Sequence, residues 1–241
     1  MEATDGLPLR IGGWVPFSGV DHPGRFSAVV FVQGCPWRCG YCHNPHLQSR
    51  RCAAPVPLSW PDVLSWLAAR QGLLDSVVFS GGEPLVDRCL KGAVQQVKAL
   101  GFEVALHTAG MYWDRLSDLV GEVDWVGLDV KAPLDDEAAY ERLTGAPHSA
   151  WATRQSLQVL QHHAIDFECR TTVHPQWLSA SDLEHMADDL ADRGVQRWVL
   201  QRARSPHTQG EPDASALLQS DSVSTELLAQ LQQRVPHVVL R

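Results

Sequence analysis

The chain has 241 residues, 44% hydrophobic and 20% charged, a composition that suits one α/β domain with a substantial core and excludes large-scale disorder. Its 28 acidic and 20 basic residues give a formal net charge of −8, which argues against general binding to a phosphate backbone, so no nucleic-acid partner is expected. The longest apolar run, 28–32, is too short to cross a bilayer and the first residues lack a signal-peptide core, so a cytoplasmic location without a membrane partner is expected.

Residues 1–25 read as a leading segment, whose Gly- and Pro-rich part, 10–25, is an ordered approach to the first strand. That strand spans 26–33 and delivers a cysteine loop to its own end. A helix starts near Ser59, where Ser59 and Asp62 have capping-box spacing and Val63, Leu64 and Leu67 form an apolar stripe. The second strand spans 75–80, and Leu90, Ala93, Val94, Val97 and Leu100 mark a helix that Gly101 stops. A third strand (102–107), a short helix (113–120) and a fourth strand (124–130) follow. A helical stretch over 135–163, broken near Gly145 and Pro147, leads to a fifth strand at 166–173. The next helix has Ser181 and Glu184 in capping-box register and stops at Gly194, before a sixth strand at 196–201. Residues 26–203 make up this core, and 204–241 add a polar linker (204–214), a helix (224–234) and a short strand (238–240). Strands alternating with helices imply right-handed βαβ units in a parallel sheet, and six units are fewer than the eight of a closed barrel. One domain is expected.

Six cysteines in a cytosolic chain are expected to be reduced. Cys52, Cys89 and Cys169 are scattered and read as inert thiols. Cys35, Cys39 and Cys42 instead crowd one loop within VVFVQGCPWRCGYCHNP (29–45). Thiolates are the usual ligands of iron–sulfur clusters. Three of them leave one iron of a four-iron cubane open to an outside ligand. A zinc site completed by His43 or Cys52 is the alternative, although structural zinc usually joins two separated ligand pairs.

In parallel α/β folds the ligand site lies at the carboxyl ends of the strands. The second strand ends in Ser80-Gly81-Gly82-Glu83-Pro84, whose glycines let backbone amides and carbonyls approach a small zwitterion. The third ends in His107-Thr108-Ala109-Gly110 and the fourth in Asp129-Val130-Lys131. Arg170 on the fifth presents a planar fork suited to an anion, with a salt bridge to a neighbouring acid as the alternative. His174-Pro175 reads as an architectural turn, and Gln201 ends the sixth strand.

Cys35-x3-Cys39-x-Tyr41-Cys42 resembles the radical S-adenosylmethionine (SAM) enzymes, and Tyr41-Cys42-His43-Asn44-Pro45 resembles the activating enzymes of glycyl-radical proteins. The resemblance implies an open partial (β/α)6 barrel with a [4Fe-4S] cluster on Cys35, Cys39 and Cys42. It implies SAM on the open iron, with Tyr41, Asn44, Gly81, Gly82, Glu83, His107, Thr108, Asp129, Lys131, Arg170 and Gln201 as the candidate cofactor-binding residues. It further implies an electron donor such as flavodoxin or ferredoxin, cleavage of SAM to methionine and a 5′-deoxyadenosyl radical, and hydrogen abstraction from a glycine of a partner enzyme. In the pyruvate formate-lyase activating enzyme the places of 107–110 and 129–131 read Asp-Thr-Asn-Gly and Asp-Leu-Lys and also serve a monovalent cation. Here His107 and Ala109 depart from that pattern. Ser18, Asp21, Pro23 and Gly24 match a leading motif of the activating enzymes, and with Arg-Thr-Thr-Val-His-Pro at 170–175 they point to anaerobic ribonucleoside-triphosphate reductase as partner. Pyruvate formate-lyase, a small-molecule substrate, and a zinc-stabilised binding protein without catalysis are the competing readings.

Overall fold

A computed structural model describes residues 9–50, 59–203 and 223–241. Cys52 and the linker expected at 204–214 lie outside the described residues. Eight strands form one sheet in chain order: β1 (Ile11–Ser18), β2 (Ser27–Val32), β3 (Ser76–Gly81), β4 (Glu103–Thr108), β5 (Trp125–Asp129), β6 (Asp166–Val173), β7 (Arg197–Arg202) and β8 (His237–Leu240). All pairs from β2–β3 to β7–β8 are parallel, and β1 runs antiparallel to β2. β1 and β8 do not pair, so the sheet stays open. The described helices are α1 (Trp60–Ala68), α2 (Leu90–Ala99), α3 (Trp113–Leu119), α4 (Glu137–Thr144), α5 (Ser149–His162), α6 (Ala180–Asp192) and α7 (Thr225–Gln232). Among the described residues no helix is long and apolar enough to cross a membrane.

The six parallel strands expected between 26 and 201 are β2 to β7, and the break near Gly145 separates α4 from α5. Two local expectations need correction. The strand expected first, at 26–33, is the second, because Ile11–Ser18 of the leading segment already forms an edge strand. Gly12, Gly13 and Pro16 mask its strand pattern, and the missing N–H of proline is tolerated at a sheet edge. Helix α6 is capped two residues earlier than expected, by Ser179 and Asp182, each accepting the other's backbone N–H. Asp182 does at N3 what glutamate does in the usual capping box.

The strands are buried on both faces, as parallel strands generally are. Val30, Val77, Phe79, Leu106, Leu128 and Trp198 belong to the main core, whereas Val29, Val78, Ala105 and Trp125 form a smaller cluster from alternate positions. One step above that cluster the same face turns polar, since Gly127 is in register with both His107 and Glu168. At the other end, Ser18 Oγ accepts from the Val20 and Asp21 amides (3.2 and 3.3 Å) and turns the chain under the sheet. That turn buries His22, whose Nδ1 lies 3.0 Å from Ser76 Oγ at the start of β3.

Two helices end alike. After α6, Gly194 at φ +74° lets Val195 N–H reach the Leu190 carbonyl (3.0 Å), and after α5, Ala164 at φ +51° lets Ile165 N–H reach the Leu160 carbonyl (3.2 Å). Left-handed backbone favours glycine over alanine. Ala164→Gly is therefore expected to stabilise the protein by about 0.5–1 kcal/mol, the side-chain relief being partly offset by a freer unfolded chain. Urea unfolding checks this, and unchanged or lower stability contradicts it.

Candidate active site at the carboxyl ends of the strands

The cysteine loop is closed by its own backbone. Gly34 at φ +112° donates to the Leu47 carbonyl (2.8 Å), Cys35 N–H to Gln48 (3.0 Å), and the buried Gln33 amide to the His46 carbonyl (3.0 Å). Its middle docks on the end of α4, where Arg38 N–H donates to Thr144 (2.7 Å) and Gly40 N–H to Leu143 (3.3 Å). A Cβ on Gly40 would overlap the Trp177 indole. Sequence alone suggests that Gly81 and Gly82 open the backbone to a zwitterion, and the structure gives them a further task. Gly82 N–H donates to Val32 (3.0 Å) and Glu83 N–H to Gly34 (2.8 Å), while a Cβ on Gly82 would overlap the Gly34 carbonyl and lie 2.9 Å from that of Leu47. The end of β3 is pressed against the thiol loop.

Glu83 is wholly buried. Its carboxylate accepts from Thr108 Oγ1 (2.8 Å), Ala109 N–H (2.9 Å) and Leu85 N–H (3.1 Å), so it ties β3 to β4. Burial pushes this carboxyl up to about 7, against the lowering effect of its hydrogen bonds. Thr108 Oγ1 in turn accepts from Gly110 N–H (3.0 Å). Lys131 Nζ lies 3.0 Å from Asp129 Oδ2, the lysine side chain 12% exposed and the aspartate 39%. Burial opposes the ammonium charge, but Asp129 and its neighbours outweigh it and hold Lys131 well above its ordinary value. Tyr41 is buried, stacks on His174 (6.4 Å between centroids) and has Lys131 Nζ 6.0 Å from its ring. Asn44 precedes the single helical turn Pro45–Leu47, and Gln201 stands half-buried on β7 in register with Thr172.

Two expected cofactor-binding side chains are committed elsewhere. Arg170 Nε pairs with Glu168 Oε1 at 2.9 Å, both side chains being at least nine-tenths buried, and its guanidinium lies 4.8 Å over Trp125. It crosses Gly127, where a Cβ would stand 2.7 Å from the guanidinium carbon. The ion-pair alternative is the one realised, and the fork is not free for an outside anion. His107 Nε2 lies 2.7 Å from the Asp21 carbonyl oxygen, and burial, reinforced by Arg170, holds its pKa well below the ordinary value. The ring is thus a neutral Nε2–H donor to the leading segment. With His107 so engaged and the Asp129 charge matched by Lys131, the residues do not fit the monovalent cation that the resemblance implies. Trp125, Gly127 and Glu168 escape the sequence reading because only strand register brings them to Arg170; the i, i+2 spacing of Glu168 and Arg170 was the available signal.

The chemistry of the donor set, three soft thiols on one loop, fits a thiolate-bound cluster with a small polar ligand, although among the described residues no three His, Cys, Asp or Glu side chains are gathered to hold a single metal ion. Cys35, Cys39 and Cys42 are half-buried and free. Burial, with Glu83 adding, pushes the Cys35 thiol up to about 12, and burial raises Cys39 as well. Such thiols become ligands when a cationic centre displaces their protons. The Tyr41 hydroxyl is buried without a hydrogen-bond partner, which suits a polar group bound beside the loop.

An open parallel sheet with a three-thiol loop at the carboxyl end of its first parallel strand defines a cluster-binding α/β enzyme. The chain belongs to the Radical SAM superfamily, which it matches over residues 29–190. The family's cofactors are a [4Fe-4S] cluster and SAM. Over 197 residues the chain is 28% identical to a Methanocaldococcus jannaschii protein named as a glycyl-radical enzyme activating enzyme, covering 77% of each. It is 35% identical over 131 residues to the pyruvate formate-lyase-activating enzyme of Clostridium pasteurianum, spanning about half of that relative's length (53%). The structure is similar to that of QueE from Escherichia coli, with a TM-score of 0.57 at 16% identity over 97% of this chain and 94% of the other, a likeness of fold.

Gly82→Val is expected to displace the thiol loop as well as the SAM side, so that reconstituted iron content and SAM binding fall together. An unaltered cluster spectrum in the folded variant contradicts this. Because the folded pKa of Glu83 lies near 7, above the ordinary 4.5, the folded state alone keeps this proton between those values. Its contribution to stability therefore declines as pH rises through that interval and is constant above it. In urea unfolding of the metal-free protein from pH 4 to 8, Glu83→Gln should lack this slope; identical pH profiles would rule it out.

Proposed function

We propose that the protein activates a glycyl-radical enzyme, with anaerobic ribonucleoside-triphosphate reductase as its partner. The observation that carries the activase reading is the similarity over 77% of both chains to a protein named for that activity, joined to the thiol loop at the open end of the sheet. The reductase is favoured by the leading motif at 18–24 and the run 170–175, which resemble the reductase activators. When bound, the cluster and SAM supply the one-electron cleavage and the radical that takes hydrogen from a glycine.

The protein's residues do the rest. Cys35, Cys39 and Cys42 would supply the three thiolate ligands of the cluster. Gly81, Gly82 and Glu83 keep the end of β3 against that loop, Asp129 and Lys131 place paired charges beside it, and Tyr41 offers its hydroxyl. Thr108 holds the Glu83 carboxylate from β4, and Asn44 and Gln201 are the further candidates for contact with SAM. The unclosed sheet leaves a lateral opening for a glycine loop, whose Cα–H no side chain shields.

Mixing reduced protein, SAM and purified reductase without oxygen should produce a glycyl doublet in electron paramagnetic resonance. SAM cleavage without a radical on any glycyl protein would instead favour a small-molecule substrate. Cys35→Ala, Cys39→Ala and Cys42→Ala should each abolish SAM cleavage, whereas Cys89→Ala and Cys169→Ala should retain iron and activity. An active Cys39→Ala protein would sink the cluster assignment.

A further inference from the structure

A hollow of about 570 Å³ opens beside the cysteine loop, with Cys35, Arg38, Arg50, Val86 and Tyr112 among its walls. Of the candidate cofactor residues Cys35 lines it, and Glu83, Lys131 and Tyr41 are not among its walls. Among the described residues two arginines and no acidic residue line it, on a chain whose net charge is −8. Arg38 donates to the Cys35 and Trp37 carbonyls (2.6 and 2.9 Å), and Arg50 to that of Val86 (3.2 Å). Bonds to neutral carbonyls fix these guanidiniums without cancelling their charge. Arg115 adds a third, donating to Leu85 and Val86 carbonyls (2.7 and 3.0 Å). Asp87, 3.6 Å from Arg50, is buried and offsets only part of this charge. Next to Tyr112 the exposed Trp113 meets the exposed Trp151 edge-on (6.2 Å between centroids), extending an arginine and aromatic surface of the kind enriched where proteins dock.

We propose that this hollow is the docking surface for an acidic protein carrying a one-electron centre, which delivers the electron that the proposed activity requires. The inference rests on that reading for its purpose and on charge complementarity for its place. In the step itself the donor's centre loses one electron and the cluster held by Cys35, Cys39 and Cys42 gains it; no bond or proton changes hands. A donor seated here stands against Cys35 itself while the lateral opening of the sheet stays free for the glycine loop.

The probe is a strongly acidic flavodoxin, and the first readout is binding of its oxidised form to the anaerobically reconstituted holoprotein by calorimetry. Wild type should bind, less tightly as salt is raised. Arg50→Glu should weaken binding about tenfold, and Arg50→Gln by a smaller factor. Arg25→Glu, an equal charge change at the opposite end of the sheet, should leave it unchanged. Stopped-flow reduction of the cluster by flavodoxin hydroquinone should slow in parallel, while reduction and SAM cleavage driven by dithionite persist in the Arg50 variants. Wild-type flavodoxin affinity in both Arg50 variants overturns the proposal, as does an equal loss in Arg25→Glu, which would reflect net charge alone. Normal flavodoxin binding with lost glycyl-radical formation under dithionite overturns it too, and hands the surface to the glycyl partner. Absence of dithionite-driven SAM cleavage in wild type would count against the activase reading instead, and leaves flavodoxin binding as a separate result.

Discussion

Two backbone hydrogen bonds carry more of this architecture than their number suggests: Gly82 N–H to Val32 and Glu83 N–H to Gly34. They join the end of one strand to the first residues of the thiol loop, and the approach depends on Gly82, where a Cβ would overlap the Gly34 carbonyl. From that junction the Glu83 side chain continues to Thr108 and Ala109, so three successive strand ends are tied into one edge. Each of these bonds is individually modest, about 1 kcal/mol net, but their partners are buried, and losing one leaves a group unsatisfied. The chemistry of the loop is thus inseparable from the backbone of its neighbour.

The same economy of contacts explains the polar layer behind the site. Glu168 sits between Arg170 and Arg241, whose Nη1 lies 3.2 Å away, and the Asp21 carbonyl meets both His107 Nε2 (2.7 Å) and Arg170 Nη2 (3.4 Å). A buried ion pair survives when its remaining donors find acceptors, and here a turn of the leading segment supplies one. The motif around Ser18 and Asp21 therefore has a structural purpose: it closes the amino end of the sheet and satisfies side chains that descend toward it.

Much of this was legible in the sequence because the strongest signals are local. Apolar β-branched runs flanked by helical stripes mark β2 to β7, and three cysteines in one loop suggest a ligand set without any tertiary information. Edge strand β1 was not legible, since Gly12, Gly13 and Pro16 resemble a turn when no pairing partner is known. For Arg170 the sequence left a salt bridge to a neighbouring acid and an outside anion both open, and for His107 it did not show which group the ring would meet. Residue type says what a guanidinium or an imidazole can do, but register decides which neighbour it meets first, and that neighbour was Glu168 in one case and the Asp21 carbonyl in the other. Gly82 was read as letting backbone approach a small zwitterion, and the group the structure brings against it is the protein's own backbone.

The strictly sequential strand order has a consequence for how the protein is made. Each new strand emerging from the ribosome finds its partner already in place, so the sheet can grow from one edge with short loop closures. The thiol loop, however, is synthesised early and seated late. Its supports include Thr144 and Leu143 at the end of α4, and Trp177, which lies well over a hundred residues downstream of Cys35. Until those arrive the three thiols hang on an unfinished scaffold, so the ligand loop takes its final shape only once the chain through Trp177 has been made.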